Sequence, residues 1–310
     1  DHAHARERPV DCAGLVHLGD SLYLTGASGH TRAVRYWAYA LGLGALVGAL
    51  LGLRFGPAVG LGVGVGLALA TWLVLSRRTR RRARLSRAPF PPAWRATLEE
   101  WVGYYRALEP ADRRRFEDEV RWFIDEHVIS GPRGADVDEA LRVLVAASAV
   151  VLIFGRPGFR YPKLRDIVIY DEAFDETYQG EGNILGMVHG QGPILFSARA
   201  LKQGFRGEGD GHNVGYHEFA HVLDFDRGRA DGIPGFMPWA AVAPWLSLVH
   251  AETARAQKGR SILRRYAAKN EAEFFAVATE VFFERPEKLR AEHPELYALL
   301  RDAYGQDPAR

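Results

Sequence analysis

Between residues 36 and 53 the only ionisable side chains are the tyrosines Tyr36 and Tyr39, and between residues 55 and 75 there are none at all. Helices of a soluble fold rarely run this long without setting a charge on their outer face. At 1.5 Å per helical residue the two runs reach about 27 and 31 Å, each close to the hydrocarbon thickness of a bilayer. One unbroken helix through both would be about 60 Å long, too long for a single crossing. Arg54, Gly56 and Pro57 fall between the runs. A polar residue and two helix breakers there suit a tight turn, so residues 35–76 are expected to form a transmembrane hairpin of two helices. Gly44, Gly48 and Gly52 recur every fourth residue, and Gly60, Gly62, Gly64 and Gly66 line the second run. Small residues let lipid-embedded helices approach closely. Trp37 and Trp72 stand near the outer ends, where indole rings prefer the interface. The competing reading is a glycine-rich hairpin in the core of a soluble protein.

Seven arginines follow within eleven residues: Arg77, Arg78, Arg80, Arg81, Arg82, Arg84 and Arg87. Beside a membrane exit such a run marks the cytoplasmic side and attracts anionic headgroups. Residues 77–90 are therefore read as a basic juxtamembrane linker, stiffened by Pro89, Pro91 and Pro92. Residues 1–34 carry no pattern of their own beyond a short apolar stretch at 22–24 and the histidines His2 and His4. The chain opens on Asp1, so its natural beginning is expected further upstream.

The remaining 220 residues, 91–310, read as one soluble domain. The whole chain has 40 basic and 38 acidic side chains, a formal net charge of +2. No overall positive field draws in phosphates, which argues against nucleic acid as a partner. Cys12 is the single cysteine, so neither an intrachain disulfide nor a thiolate metal cluster can form. Amphipathic helices are predicted over 94–108 and 110–127, with Asp136 capping a third that contains the apolar run 141–153. Short β-branched runs at 167–170 and 194–196 predict strands. Beyond residue 210 the pattern is helical again. Helices, then strands, then helices make an α+β body, mainly helical with a small sheet. The 194–196 strand is expected inside that sheet, with the alternative that it borders a cleft and pairs with a substrate backbone.

The chemistry concentrates at His217-Glu218-Phe219-Ala220-His221. On a helix, residues i and i+4 share a face, so both imidazoles can reach one metal ion while Glu218 lies where it can take a proton from a metal-bound water. The apolar neighbours Phe219, Ala220, Val222 and Leu223 imply a largely buried helix, and buried histidines beside a carboxylate need partners. A catalytic zinc takes a third protein ligand. Glu273, in a mostly apolar helix over 270–284, is the stronger candidate. Asp224 is the other, although its closeness to His221 suits it better to orienting an imidazole. Glu273, Glu280 and Glu284 fall along one stripe, so Glu280 is expected to support a ligand; Glu284 is equally consistent with a solvated face. Tyr266, seven residues before Glu273, can donate a hydrogen bond to an oxyanion.

The stretches 213–224 and 266–276, together with the Phe-Pro-Pro-Ala-Trp start at Phe90 and the Gly-Pro-Ile-Leu-Phe-Ser run at Gly192, resemble the Mlc titration factor A family of zinc peptidases over roughly residues 90–305. The resemblance implies a zincin-like (gluzincin) fold similar to the anthrax lethal factor protease domain. It implies zinc held by His217, His221 and Glu273, with Glu218 as the catalytic glutamate and Tyr266 assisting. It further implies aminopeptidase-like activity and, for some members, binding of a glucose-responsive transcriptional repressor. The hairpin departs from the soluble members of that family. The combined expectation is a zinc metallopeptidase tethered to a bacterial cytoplasmic membrane, its catalytic domain facing the cytoplasm, acting on a peptide or protein substrate. A regulatory binding module with a structural zinc is the alternative, and hydrolysis of a non-peptide bond a weaker one.

Overall fold

A computed structural model of the chain describes residues 29–161, 164, 166–171, 186–188, 193–259 and 261–310. His2, His4, Cys12 and the 22–24 stretch lie outside them. Two long helices come first, α1 (Gly29–Phe55) and α2 (Pro57–Leu75). Gly56 turns the chain with φ 99°, and Pro57 opens α2 at a position where no amide donor is needed. The spans Tyr36–Phe55 and Pro57–Leu75 are long and apolar enough to cross a membrane, and only 11% and 17% of their most apolar windows are buried. A core hairpin of a soluble protein would be covered, so the exposure of Leu46, Leu53, Leu61 and Val74 counts against that reading. The helices meet through Gly44, Gly48, Gly60 and Gly64: a Cβ on Gly48 would stand 2.8 Å from the Gly60 carbonyl oxygen. Gly62 and Gly66 face away, with open space where a Cβ would be. At the far end Trp37 and Trp72 stack, ring centroids 4.8 Å apart.

Ser76 alone separates α2 from α3 (Arg77–Leu85). The basic stretch is thus largely helical, and it docks on the body. Arg81 Nε meets Asp125 Oδ2 at 2.7 Å, Arg82 Nη2 meets Glu126 Oε2 at 2.6 Å, and Arg78 pairs with Glu126 as well. Arg82 also stacks over Trp122 at 4.6 Å.

The body continues with α4 (Pro92–Trp101), α5 (Gly103–Ala107) and α6 (Pro110–Glu126). The single helix expected over 94–108 is broken, because Val102 adopts φ −108° and ψ 93° between α4 and α5. Strand β1 (Val128–Ser130) leads to α7 (Glu139–Ile153). Its cap is Asp138, which accepts from Ala140 N; Asp136, the cap expected from sequence, instead binds the Val137 amide and Arg142. Helix α7 is buried on every side because α4, α6, α8 (Ala198–Arg206) and α9 (Val214–Asp224) all pack on it. Strands β2 (Asp166–Tyr170), β3 (Gly186–Val188) and β4 (Ile194–Ser197) join β1 in a four-stranded sheet of order β1-β2-β4-β3. The β1–β2 and β2–β4 pairs are parallel and β3–β4 antiparallel. Both edges of β4 are occupied, so the 194–196 strand is interior and has none to offer a substrate. The chain closes with α10 (Trp239–Gln257), α11 (Glu271–Glu284), α12 (Pro286–Glu292) and α13 (Pro294–Tyr304). One hydrophobic core joins these elements, with Phe219, Trp245, Phe274, Phe275 and Tyr304 among its fully buried side chains.

Candidate metal centre

Helices α9 and α11 pack against each other, and their caps fix the register. The Asn213 side chain accepts from Tyr216 N at 3.1 Å, and Asn270 accepts from Glu273 N at 2.8 Å. Gly215 lets α9 approach α7, since a Cβ there would collide with Ser148. Asn213 also ties the helices together: its amide donates to Glu280 Oε2 at 2.7 Å and its Nδ2 to Glu284 Oε1 at 3.2 Å.

This register brings His217, His221 and Glu273 to one point. The Nε2 atoms of the two histidines are 3.2 Å apart, and Glu273 Oε2 lies 3.1 Å from His217 Nε2 and 3.3 Å from His221 Nε2. Zinc–ligand bonds of about 2.0–2.1 Å in a tetrahedron separate neighbouring ligand atoms by about 3.3 Å. The three atoms therefore describe one face of such a tetrahedron, and the donor set fits a zinc ion. Electrostatics agree. Burial alone would push the His217 imidazole down, but hydrogen bonds to Glu273 and Glu280 raise it to about 10. Burial likewise opposes ionisation of Glu273, yet the two imidazoles hold its carboxyl far below the ordinary range.

Glu218, the next residue along α9, is 5% exposed. Burial raises its carboxyl above the ordinary value, and the nearby His217 and His221 moderate the rise. Tyr266 follows Arg264 in the turn before α11 and is 45% exposed; its hydroxyl donates to Glu273 Oε1 at 2.9 Å. Burial and that hydrogen bond both raise the phenol, keeping it protonated. Glu280 supports His217 as the stripe suggested, with Oε1 2.8 Å from Nδ1. That contact directs the Nε2 lone pair toward the shared point. Asp224 is placed differently. It is fully buried, with Oδ2 accepting from Gly232 N at 2.9 Å, so it anchors the loop after α9. Glu284 is no solvated stripe end, since it clasps Asn213 and the Gly209 amide.

Two residues escaped the sequence reading. Arg264 pairs with Glu280 from a segment without periodicity, so nothing marked it. Lys269 reaches Glu273 Oε1 at 3.4 Å, and its i, i+4 spacing from Glu273 was the available signal.

Known proteins bear on this geometry in three ways. A protein described as "Uncharacterized protein slr2042" from Synechocystis is 28% identical over 244 residues, covering 74% of this chain and 89% of that protein. "Mlc titration factor A" of Salmonella arizonae is 29% identical over 61% of this chain and 81% of its own length, and that of Edwardsiella ictaluri 33% identical over 46% and 60%. The family profile described as glucose-regulated metallo-peptidase M90 matches residues 76–305, starting where α2 ends and taking in α3, the whole body and the three converging side chains. With three quarters of its length so matched, this chain belongs to the M90 family of glucose-regulated metallo-peptidases.

Proposed function

We propose that the protein is a membrane-tethered zinc metallopeptidase whose catalytic body lies on the cytoplasmic side. The observation that carries the reading is the tetrahedral spacing of His217 Nε2, His221 Nε2 and Glu273 Oε2, with buried Glu218 next in the helix. A zinc ion held there would act as a Lewis acid and make a water far more acidic. Glu218 would accept that proton and return it to the leaving amine; its raised pKa suits a group that must do both. Tyr266, protonated and half-exposed at the mouth, would turn its hydroxyl from Glu273 toward the oxyanion of the substrate carbonyl. Glu280 and Arg264 would hold His217 in the required tautomer and orientation. The orientation across the membrane is supported by the arginines of α3.

The test is metal content followed by cleavage. The purified chain of residues 1–310 should carry about one zinc, and His217→Ala and Glu273→Ala should each lose it. Full zinc in Glu273→Ala would refute the third ligand. A peptide library should then reveal the cleaved bond, including whether it lies at an amino terminus. The name "Mlc titration factor A" of the relatives favours a second reading, a regulator that sequesters a transcriptional repressor. Zinc binding without cleavage of any peptide would favour it.

A further inference from the structure

A cavity of about 590 Å³ opens beside α5, α11 and the chain's C-terminal end, and its lining includes none of His217, Glu218, His221, Tyr266 and Glu273. Its volume suits a small molecule. Tyr104, Phe154, Tyr216 and Phe283 form an aromatic wall, with Tyr104 and Phe283 ring centroids 6.2 Å apart and Tyr216 and Phe283 5.9 Å apart. Aromatic faces attract cations, and this lining already seats one of its own: the Arg115 guanidinium lies 3.6 Å over Phe154.

The charges facing the cavity are unbalanced. Asp112, Glu208, Glu284, Glu287 and Asp307 line it against only Arg115 and Arg310. Asp112 is paired with Arg115, Asp307 with Arg310, and Glu208 with Arg106. Among the described residues no lysine or arginine pairs with Glu284 or Glu287. Glu284 is held only by two neutral donors, Gly209 N at 2.9 Å and Asn213 Nδ2 at 3.2 Å. A partly buried carboxylate without a cation is disfavoured, and the burial Glu284 does have pushes it up to about 7.

We propose that this cavity binds an organic cation, an ammonium or guanidinium carried on an aromatic or apolar body, whose charge meets Glu284 while its body lies against the aromatic wall. The site touches the metal centre through a continuous chain of hydrogen bonds. Glu284 holds Asn213 Nδ2, the Asn213 amide holds Glu280 Oε2, and Glu280 Oε1 holds His217 Nδ1. A cation that draws Glu284 toward itself loosens its grip on the α9 cap and shifts the affinity of the centre for metal. Coupling of this kind is reciprocal, so metal also changes the affinity for the cation.

The test uses the chain of residues 1–310 in nanodiscs, with phenethylamine as the cationic probe and 2-phenylethanol as its neutral counterpart. Calorimetry should show phenethylamine binding at least tenfold more tightly to the wild type than to Glu284→Gln, while 2-phenylethanol binds both equally. Equal affinity of the wild type for the two probes, or an unchanged phenethylamine Kd in Glu284→Gln, overturns the site. Glu287→Gln, at the exposed rim and outside the hydrogen-bond chain, serves should Glu284→Gln fail to fold. It should weaken phenethylamine about threefold, and an unchanged Kd in the sole folded variant also overturns the proposal. Zinc affinity, read by competition with a chromophoric chelator, should shift at least threefold when the wild-type cavity is saturated. No shift removes the coupling. Failure to bind zinc at all would sink the peptidase reading and leave the calorimetric result standing.

Discussion

Two helix pairs in this molecule solve the same packing problem by opposite means. Between α1 and α2 the side chains have been removed: Gly44, Gly48, Gly60 and Gly64 let backbone meet backbone, and no titratable group takes part. Between α9 and α11 the contact is made of charged and polar side chains, Asn213, His217, Glu273, Glu280 and Glu284, each held by a partner across the seam. The first interface is adhesive and carries no chemistry. The second spends desolvation energy on buried carboxylates and obtains a defined electrostatic point in exchange. Close approach through glycine is tolerant of environment and intolerant of volume. The polar seam is the reverse, because a substitution there keeps the fold's volume and changes what the site can bind.

The largest effect should come from the polar seam. Glu218→Gln keeps the size and the neighbours of the side chain and removes a base, so zinc content should stay near one per chain while peptide hydrolysis falls by about 10²–10⁴. Undiminished turnover in that variant would break the division of labour assigned to α9. Next comes the glycine seam. Gly60→Leu places volume where even a Cβ would collide with the Gly48 carbonyl and Gly52, and should cost about 3 kcal/mol as the helices separate. Gly62→Leu meets open space on the same helix and should change stability by less than about 0.5 kcal/mol. Denaturant-dependent energy transfer between labels on α1 and α2 measures both, and similar losses would refute the glycine-seam account.

Smaller is the effect of Glu280→Gln. It retains a hydrogen-bond acceptor for His217 but loses the charge, and should weaken zinc binding about 10–100-fold in a chelator competition. An unchanged affinity would mean that Glu280 acts on helix packing alone.

The smallest effect concerns the joint between hairpin and body. Burial works against ionisation of Glu126, yet hydrogen bonds from Arg78 and Arg82 bring its carboxyl down to about 2 from an ordinary 4.5. A depressed carboxylate contributes stability that is complete above about pH 4.5 and is lost as pH falls through about 2. The α3–α6 contact should therefore weaken over that interval, by about 1 kcal/mol once solvent screening is allowed for. Fluorescence of Trp122, under Arg82, reports it, and Glu126→Gln should abolish the pH dependence.

The residues of the polar seam were legible in the sequence because helical periodicity puts His217 and His221 on one stripe and Glu273 and Glu280 on another; that the two stripes face each other is a matter of tertiary packing. The hairpin was legible because 36–53 and 55–75 lack charge. Its partition into a contacting face and an open one was not, since Gly60, Gly62, Gly64 and Gly66 are identical in kind and only the crossing geometry separates them. Asp125 and Glu126 stand at the end of α6 with no spacing that marks them, so nothing local reveals that α3 binds there. Arg264 lies in an irregular turn where no period exists to be read. The fate of Asp224 also depended on tertiary structure: it is set by the loop that returns to Gly232, eight residues on. Elements with a repeat announce themselves; contacts made once do not.

The lone residue between α2 and α3 has a spatial consequence. With the hairpin in a bilayer, Ser76 leaves no slack, and three arginines clamp the next helix to the body. The mouth of the site would then ride at a set height above the lipid, like a tool on a short fixed arm. On the proposed reading its search would be two-dimensional, confined to a thin layer along the membrane, and the polypeptides it met most often would be those that share that layer.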